Sequence, residues 1–182
     1  MGHVFAVVLA VALTTVACGG GNSLGYAREY VPLSNEKPYY ERAEAVAYED
    51  VRRDPELLRG KLLGWFGVVT DVEKKPDPNS RARVALTLRF HQDRHLCENQ
   101  FDDSCRVTVS ERSGGPFSAL ITLRPEDTQG KNRVYTGSLI KVYGIPTGDY
   151  DDEGGPIIEA RFYRHWPRGT YVTTAWQGSM RR

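Results

Sequence analysis

The sequence predicts a mainly β protein: a small β-barrel of five to six strands, preceded by an amphipathic helix and, before that, by a signal peptide and a flexible tether. Three observations support this prediction. Six short strand-like segments lie between residues 61 and 163, turn residues separate them, and glycines occur inside several of them. The chain has 182 residues, of which 40% are hydrophobic and 26% charged. This balance is typical of one globular domain and excludes a polytopic membrane protein or a disordered chain.

The first segment is an apolar leader. Val4–Ala17 is an uncharged run of 14 residues, shorter than the about 20 residues that span a bilayer and typical of a signal peptide. Thr15-Val16-Ala17-Cys18 resembles the lipobox of bacterial lipoproteins. The resemblance implies cleavage before Cys18, attachment of lipid to its thiol and, because Gly19 follows, anchoring in the outer membrane. An ordinary cleaved signal and an uncleaved N-terminal helix are the alternatives.

The rest of the chain divides by composition. A stretch rich in Gly, Ser, Asn and Pro follows Cys18 and predicts a tether. From Tyr40 the apolar residues recur at helical spacing through Ala43, Val46 or Ala47, and Val51. Asp54 and Pro55 then end this helix and start a single turn. The predicted divisions are residues 1–17 (signal peptide), 18–38 (lipidated cysteine and tether), 39–166 (helix and barrel) and 167–182 (C-terminal tail).

The strands differ in how they alternate. The segment Lys61–Val72 is apolar on both faces, which predicts a central buried strand. The segment Arg81–His91 alternates cleanly and predicts that Val84, Leu86, Leu88 and Phe90 point inward. A break is predicted at residues 114–116. The remaining predicted strands are Arg106–Ser110, Phe117–Leu123, Leu139–Ile145 and Ile157–Tyr163.

Several strand motifs resemble known exported domains. The turn at residues 54–61 leads into Gly64–Val69, and a similar glycine-flanked strand recurs at Gly137–Gly144. Together these segments resemble the first strand and a late strand of OB-fold domains. With Gly115–Phe117 and with Pro156–Ala160 before Trp166, they also resemble the Slp family of starvation-inducible outer-membrane lipoproteins. The resemblance covers residues 54–166 and implies an OB-fold-like barrel on a lipid anchor.

Two cysteines remain once Cys18 carries lipid. Cys97 and Cys105 flank a loop between the second and third predicted strands. In an oxidising compartment they are expected to form a disulfide, which would contribute roughly 2–3 kcal/mol for a loop of this size. Zinc bound by His91, His95, Cys97 and Cys105 is one alternative, although only the histidine spacing fits a structural zinc site. Unpaired thiols are the other alternative.

OB-folds often bind ligands through aromatic and basic residues on one open face. The candidates on such a face are Trp65, Arg89, Lys141, Tyr143, Arg161 and Tyr163. An ordinary solvated β face with cross-strand pairs is the alternative interpretation.

The net charge and the lack of known enzyme motifs limit the classes of function that we expect. The 24 Lys and Arg residues nearly balance the 23 Asp and Glu residues, a net charge of +1, so no nucleic-acid partner is expected. The sequence contains no nucleophile elbow, P-loop, zinc-protease motif or dinucleotide fingerprint, and we expect neither catalysis nor a cofactor. The sequence therefore predicts a lipid-anchored, non-catalytic envelope module that binds a partner protein or a glycan, or stabilises the envelope. A ligand- or metal-binding envelope module is the alternative.

Overall fold

The computed structural model describes residues 30–73, 81–95 and 107–175. Helix α1 is Lys37–Tyr40 and helix α2 is Tyr48–Arg53. Short 3-10 turns lie at Pro125–Asp127 and Gly130–Asn132. The strands are β1 (Leu63–Val72), β2 (Ala82–His95), β3 (Val107–Ile121), β4 (Leu139–Tyr150), β5 (Pro156–Trp166) and β6 (Tyr171–Thr173).

Five strands close into a ring. Strand β1 pairs with β2 and β4, β4 pairs with β5, and β3 joins β5 to β2. The β3–β5 contact is parallel and the others in the ring are antiparallel. Strand β6 pairs with the start of β3 outside the ring. This arrangement confirms the predicted fold class, a small OB-fold-like barrel of five to six strands preceded by a helix.

The sheet carries apolar clusters on both faces. The inner cluster draws buried side chains from all five ring strands, among them Trp65, Leu86, Phe117, Val142 and Tyr163. A second cluster lies on the outer face and consists of Tyr30, Phe66, Val107, Val109, Leu139 and Trp166. Strand β1 contributes to both clusters, as its two apolar faces predict.

The region before β1 is less helical than its spacing predicts. The predicted helix from Tyr40 to Val51 is two short helices, because the backbone between them leaves the helical path at Glu44. The Glu44 N–H donates to the Leu62 carbonyl at 2.7 Å, and Glu44 forms a parallel bridge with Leu63. The turn that follows is as predicted, since the Asp54 Oδ1 accepts from the Leu57 N–H at 3.0 Å.

Residues 30–41, which we call the strap, run across the outer face of the sheet. The composition of residues 18–38 predicts that residues 30–38 belong to the tether. In the structure Tyr30 is 8% exposed and Glu36 is fully buried. The described part of that segment therefore packs as a component of the domain.

Two strand predictions need correction. Strand β3 runs without interruption through the predicted break at residues 114–116, because Gly115 and Pro116 still pair with Leu88 and Thr87 of β2. Phe90, predicted to point inward, is 49% exposed. The β1–β2 ladder ends at Phe66 and Arg89, so no β1 residue lies opposite Phe90 to cover it.

Candidate ligand cleft

A cleft opens at the rim of the barrel where β1 and β2 stop pairing. Its volume is about 580 Å³, within the range of small-molecule sites. The lining comes from the end of β2, the start of β1, residues 46–48, the strap and Lys141 of β4. The lining residues are Tyr30, Tyr40, Val46, Ala47, Tyr48, Gly64, Trp65, Phe66, Leu88, Arg89, Phe90, His91 and Lys141.

The lining of this rim cleft is aromatic and basic. It includes six Tyr, Trp or Phe side chains and three basic side chains, and none of its residues is Asp or Glu. Aromatic faces and cations without a competing carboxylate favour a ligand that has a flat apolar part and negative charge.

Lys141 is the most unusual residue of the rim cleft. It lies on β4, directly opposite Phe66 of β1, and is only 5% exposed. Its Nζ lies 3.7 Å from the centre of the Tyr30 ring and 4.8 Å from that of Tyr40. The rings of Phe66 and Tyr143 are each 4.9 Å away. The ammonium group is therefore surrounded mainly by ring faces, a cation–π arrangement.

Burial also changes the protonation of this amine. It lowers the pKa of Lys141 from 10.5 to about 7. The negative charge of Glu36 opposes this shift and the positive charge of Arg164 adds to it. A substantial share of the Lys141 amine is therefore neutral at physiological pH.

Glu36 attaches the strap to the barrel near the Lys141 amine. Its carboxylate accepts hydrogen bonds from the Tyr30 hydroxyl, from the Tyr143 hydroxyl at 2.7 Å and from the Leu33 N–H at 3.0 Å. Arg164 of β5 approaches it at 3.3 Å. Burial, together with these bonds to the carboxylate, raises the pKa of both tyrosines. The strap is thus held on the barrel by a buried hydrogen-bonded charge.

Sequence reasoning did not find this cluster, because Glu36 stands in a segment rich in turn-forming residues. One signal was available. Tyr30, Tyr39 and Tyr40 fall close together in or beside the predicted tether, and flexible segments are poor in aromatic residues.

The six residues of the predicted binding face occupy different environments. Trp65, Arg89 and Lys141 line the rim cleft, and Tyr143 contacts Lys141 from the same strand. Tyr163 lies in the inner cluster. Arg161 is exposed and forms an ion pair with Glu159 at 3.3 Å. The structure thus brings four of the six together and separates the other two, because Tyr163 lies on the inner side of the sheet and Arg161 outside the cleft.

A second buried polar cluster lies at Asp127. Its carboxylate accepts from the Tyr163 hydroxyl at 2.5 Å, from the Arg124 Nε at 2.7 Å and from the His165 Nδ1 at 3.1 Å. Burial raises the pKa of Asp127, but these three hydrogen bonds outweigh it and hold the pKa below its usual value. Burial lowers the pKa of His165, so its ring is neutral and its Nδ1 carries the proton. The His165 Nε2 is closed to solvent, and the cluster joins the 3-10 turn to β5 through these hydrogen bonds.

The cysteine predictions fall outside the described residues, as Cys18, Cys97 and Cys105 all do. The His91 ring stacks on Phe66 with centroids 5.1 Å apart, and the His95 backbone pairs with Val107. Within the described ranges, no three His, Cys, Asp or Glu side chains are grouped to hold a metal ion. In the same part of the chain, no helix is both long and apolar enough to cross a bilayer.

Comparison with known proteins adds one partial similarity. No family model matches the chain. A 100-residue stretch, 55% of this chain, is 30% identical to the T-cell immunomodulatory protein of Rattus norvegicus. The matched stretch is 15% of that protein's length, so the chain corresponds to only a small part of this relative.

Proposed function

We propose that this protein is a lipid-anchored envelope module that binds a small ligand, or a side chain of a partner, in the rim cleft without catalysing a reaction. The observation that supports it best is the lining of the cleft, with six aromatic and three basic side chains and no carboxylate. A partner protein or a glycan of the envelope remains the expected source of the bound group.

The anchoring part of the proposal rests on the sequence. The 14-residue apolar run before Cys18 is typical of a signal peptide, and Thr15–Cys18 resembles a lipobox. Two acyl chains on one cysteine give stable membrane attachment, whereas a single chain is marginal. The resemblance to Slp lipoproteins supports an outer-membrane location.

The anchor is tested by the intact mass of the protein extracted from membranes. The expected mass is that of the chain from Cys18 onward plus its lipid, less two hydrogen atoms for a Cys97–Cys105 disulfide. An unprocessed chain recovered from the soluble fraction would contradict the anchor. Free thiols together with bound zinc would instead support the alternative metal site at His91, His95, Cys97 and Cys105.

Ligand binding is tested with the neutral probe 2-naphthol, followed by NMR titration. Phe90 lines the cleft and is 49% exposed, so Phe90→Ala removes cleft surface with little effect on the core. We expect this variant to bind the probe roughly tenfold more weakly than the parent. The matched control is Leu57→Ala, at an apolar residue that is 77% exposed and outside the lining. Equal affinity in the parent and Phe90→Ala would contradict binding in the cleft.

A further inference from the structure

This inference rests on the proposed function, because it names the ligand class of the same cleft. We propose that the rim cleft binds a carboxylic acid with a flat apolar body, whose carboxylate pairs with the Lys141 ammonium and whose body lies against the aromatic lining.

The Lys141 ammonium group has hydrogen-bond donors that no described residue accepts. Its Nζ lies over four aromatic rings, and no described residue accepts a hydrogen bond from it or forms an ion pair with it. An ammonium group has three N–H donors and is strongly hydrated in water. A buried ammonium group without an acceptor is costly. A carboxylate entering the cleft would supply that acceptor.

The charges around Lys141 do not pair completely, because two cations lie near one buried carboxylate. The buried carboxylate whose charge acts on Lys141 is that of Glu36. Its oxygens already accept hydrogen bonds from Tyr30, Tyr143, the Leu33 N–H and Arg164. No ion pair within 4 Å joins it to Lys141 in the described structure. One carboxylate thus serves two neighbouring cations, and Lys141 is the cation without a direct partner.

Arg89 of β2 is a second cation in the lining of the rim cleft. Its Nη1 donates to the Glu111 carbonyl, which fixes the guanidinium at the edge of the cleft. Its Nε is buried and has no hydrogen-bond partner among the described residues. The cleft therefore contains a second cationic group with an unused donor and no acidic neighbour in the lining.

The aromatic lining and the volume of the rim cleft fit a flat apolar body. Phe90 lines the cleft and its side chain is 49% exposed. The lining also includes the mostly buried rings of Trp65 and Phe66, the latter stacked on His91. Flat rings pack best on such surfaces. A cleft of about 580 Å³ holds a body of one or two fused rings besides the carboxylate.

The interaction should depend on pH. The titratable or charged groups that face Lys141 are Tyr30, Glu36 and Tyr40 of the strap, Tyr143 of β4 and Arg164 of β5, and Arg89 and His91 of β2 share the lining of the cleft. The Lys141 amine itself has a pKa of about 7 in the unliganded protein. A bound carboxylate stabilises the charged amine, so affinity should be highest below pH 7 and fall as the pH rises above it.

The test compares 1-naphthoate, the matched neutral amide 1-naphthamide, and inorganic phosphate on the full chain at pH 6.5, by calorimetry and NMR. We expect 1-naphthoate to bind at least about tenfold more tightly than the amide. Lys141→Met should abolish that preference, Lys141→Arg should retain much of it, and the exposed control Lys131→Met should leave it unchanged. Far-ultraviolet circular dichroism and the thermal midpoint establish that each variant is folded.

The other outcomes separate the two proposals. If the amide binds as tightly as the acid, or if Lys141→Met keeps the preference, the carboxylate inference is wrong while the cleft still binds ligands. If phosphate binds as tightly as 1-naphthoate, the apolar body plays no part and the inference is equally overturned. If neither naphthalene compound binds, the proposed function itself fails.

Discussion

At the scale of single residues, burial and charge oppose each other most directly at Lys141. Its side chain is apolar along most of its length and packs among rings, but its terminal amine is largely removed from water. The rings compensate only partly, since a cation–π contact is worth about 0.5–2 kcal/mol. This residue therefore lowers the stability of the free protein, as functional sites often do.

The pH dependence of stability tests this view of Lys141. Between pH 7 and 10.5 the unfolded chain binds a proton that the folded chain does not, because the folded pKa is about 7. For this group the free energy of unfolding should rise with pH, by up to about 1.4 kcal/mol per unit. We expect Lys141→Met to be more stable than the parent at pH 7, with the difference about 2 kcal/mol smaller at pH 9. Urea denaturation measures both, and parallel pH profiles would refute the assignment.

Glu36 is the residue on which attachment of the strap depends. Glu36→Gln removes the negative charge that accepts from Tyr143 and pairs with Arg164, so we expect a loss of about 2–4 kcal/mol in unfolding free energy. Glu41→Gln is the control, because its 3.6 Å pair with Lys37 is exposed and should contribute less than about 1 kcal/mol. Similar losses in both variants would show that the buried Glu36 cluster contributes no more to the free energy of unfolding than an exposed ion pair does.

At the scale of elements, strand β3 shows how a turn-like sequence can lie inside a strand. Gly115 has φ +128°, and a Cβ atom there would lie 2.6 Å from the Tyr48 ring of α2. The Tyr48 hydroxyl donates to the Pro116 carbonyl at 2.8 Å. The glycine thus bends the strand and lets the helix pack closely against it, so the residues 114–116 that predict a break form a kink instead.

Substitution of this glycine should show both effects. Gly115→Ala combines backbone strain with the clash at Tyr48, and we expect it to lower the unfolding free energy by about 2–4 kcal/mol. Gly130→Ala is the control, since φ is +70° there but no atom lies within 4 Å of the added Cβ; it should cost only about 1 kcal/mol. Chemical denaturation compares the two, and equal losses would argue against close packing of α2 on β3.

At the scale of the whole molecule, the ring of strands and the strap form one structure. The strap covers Phe66 and Trp166, whose rings lie 5.8 Å and 6.5 Å from that of Tyr30. Without it, part of the outer apolar cluster would face water. It also provides Tyr30 and Tyr40, two of the rings around Lys141. The rim cleft is therefore incomplete in the barrel alone.

Truncation measures how much the strap contributes. The reference is a chain that begins at Tyr30 and therefore contains the whole strap. A chain that begins at Arg42 should lose about 3–5 kcal/mol of unfolding free energy and bind a dye such as anilinonaphthalene sulfonate at the uncovered face. If both chains unfold at the same urea concentration, the strap is only a linker.

The accuracy of sequence-based prediction differed between elements for physical reasons. The strand at 81–91 was predicted well through Leu88, because inside a closed barrel alternation alone decides which side chains are buried. It failed at Phe90, where the pairing of β2 with β1 ends. Helical spacing from Tyr40 to Val51 failed for a related reason, since the Leu62 carbonyl offers the Glu44 N–H a partner outside the helix.

By itself the sequence determined the fold class, because apolar periodicity, turn residues and strand glycines are local properties of the chain. It also identified Trp65, Arg89, Lys141 and Tyr143 as residues of interest, because aromatic and basic types are visible without coordinates. Only the tertiary structure decided that these four meet at one cleft, that Tyr163 lies inside the barrel, and that Glu36 and the strap complete the site. These facts depend on which distant segments pack together, and burial, which sets the charge of Lys141, exists only after that packing.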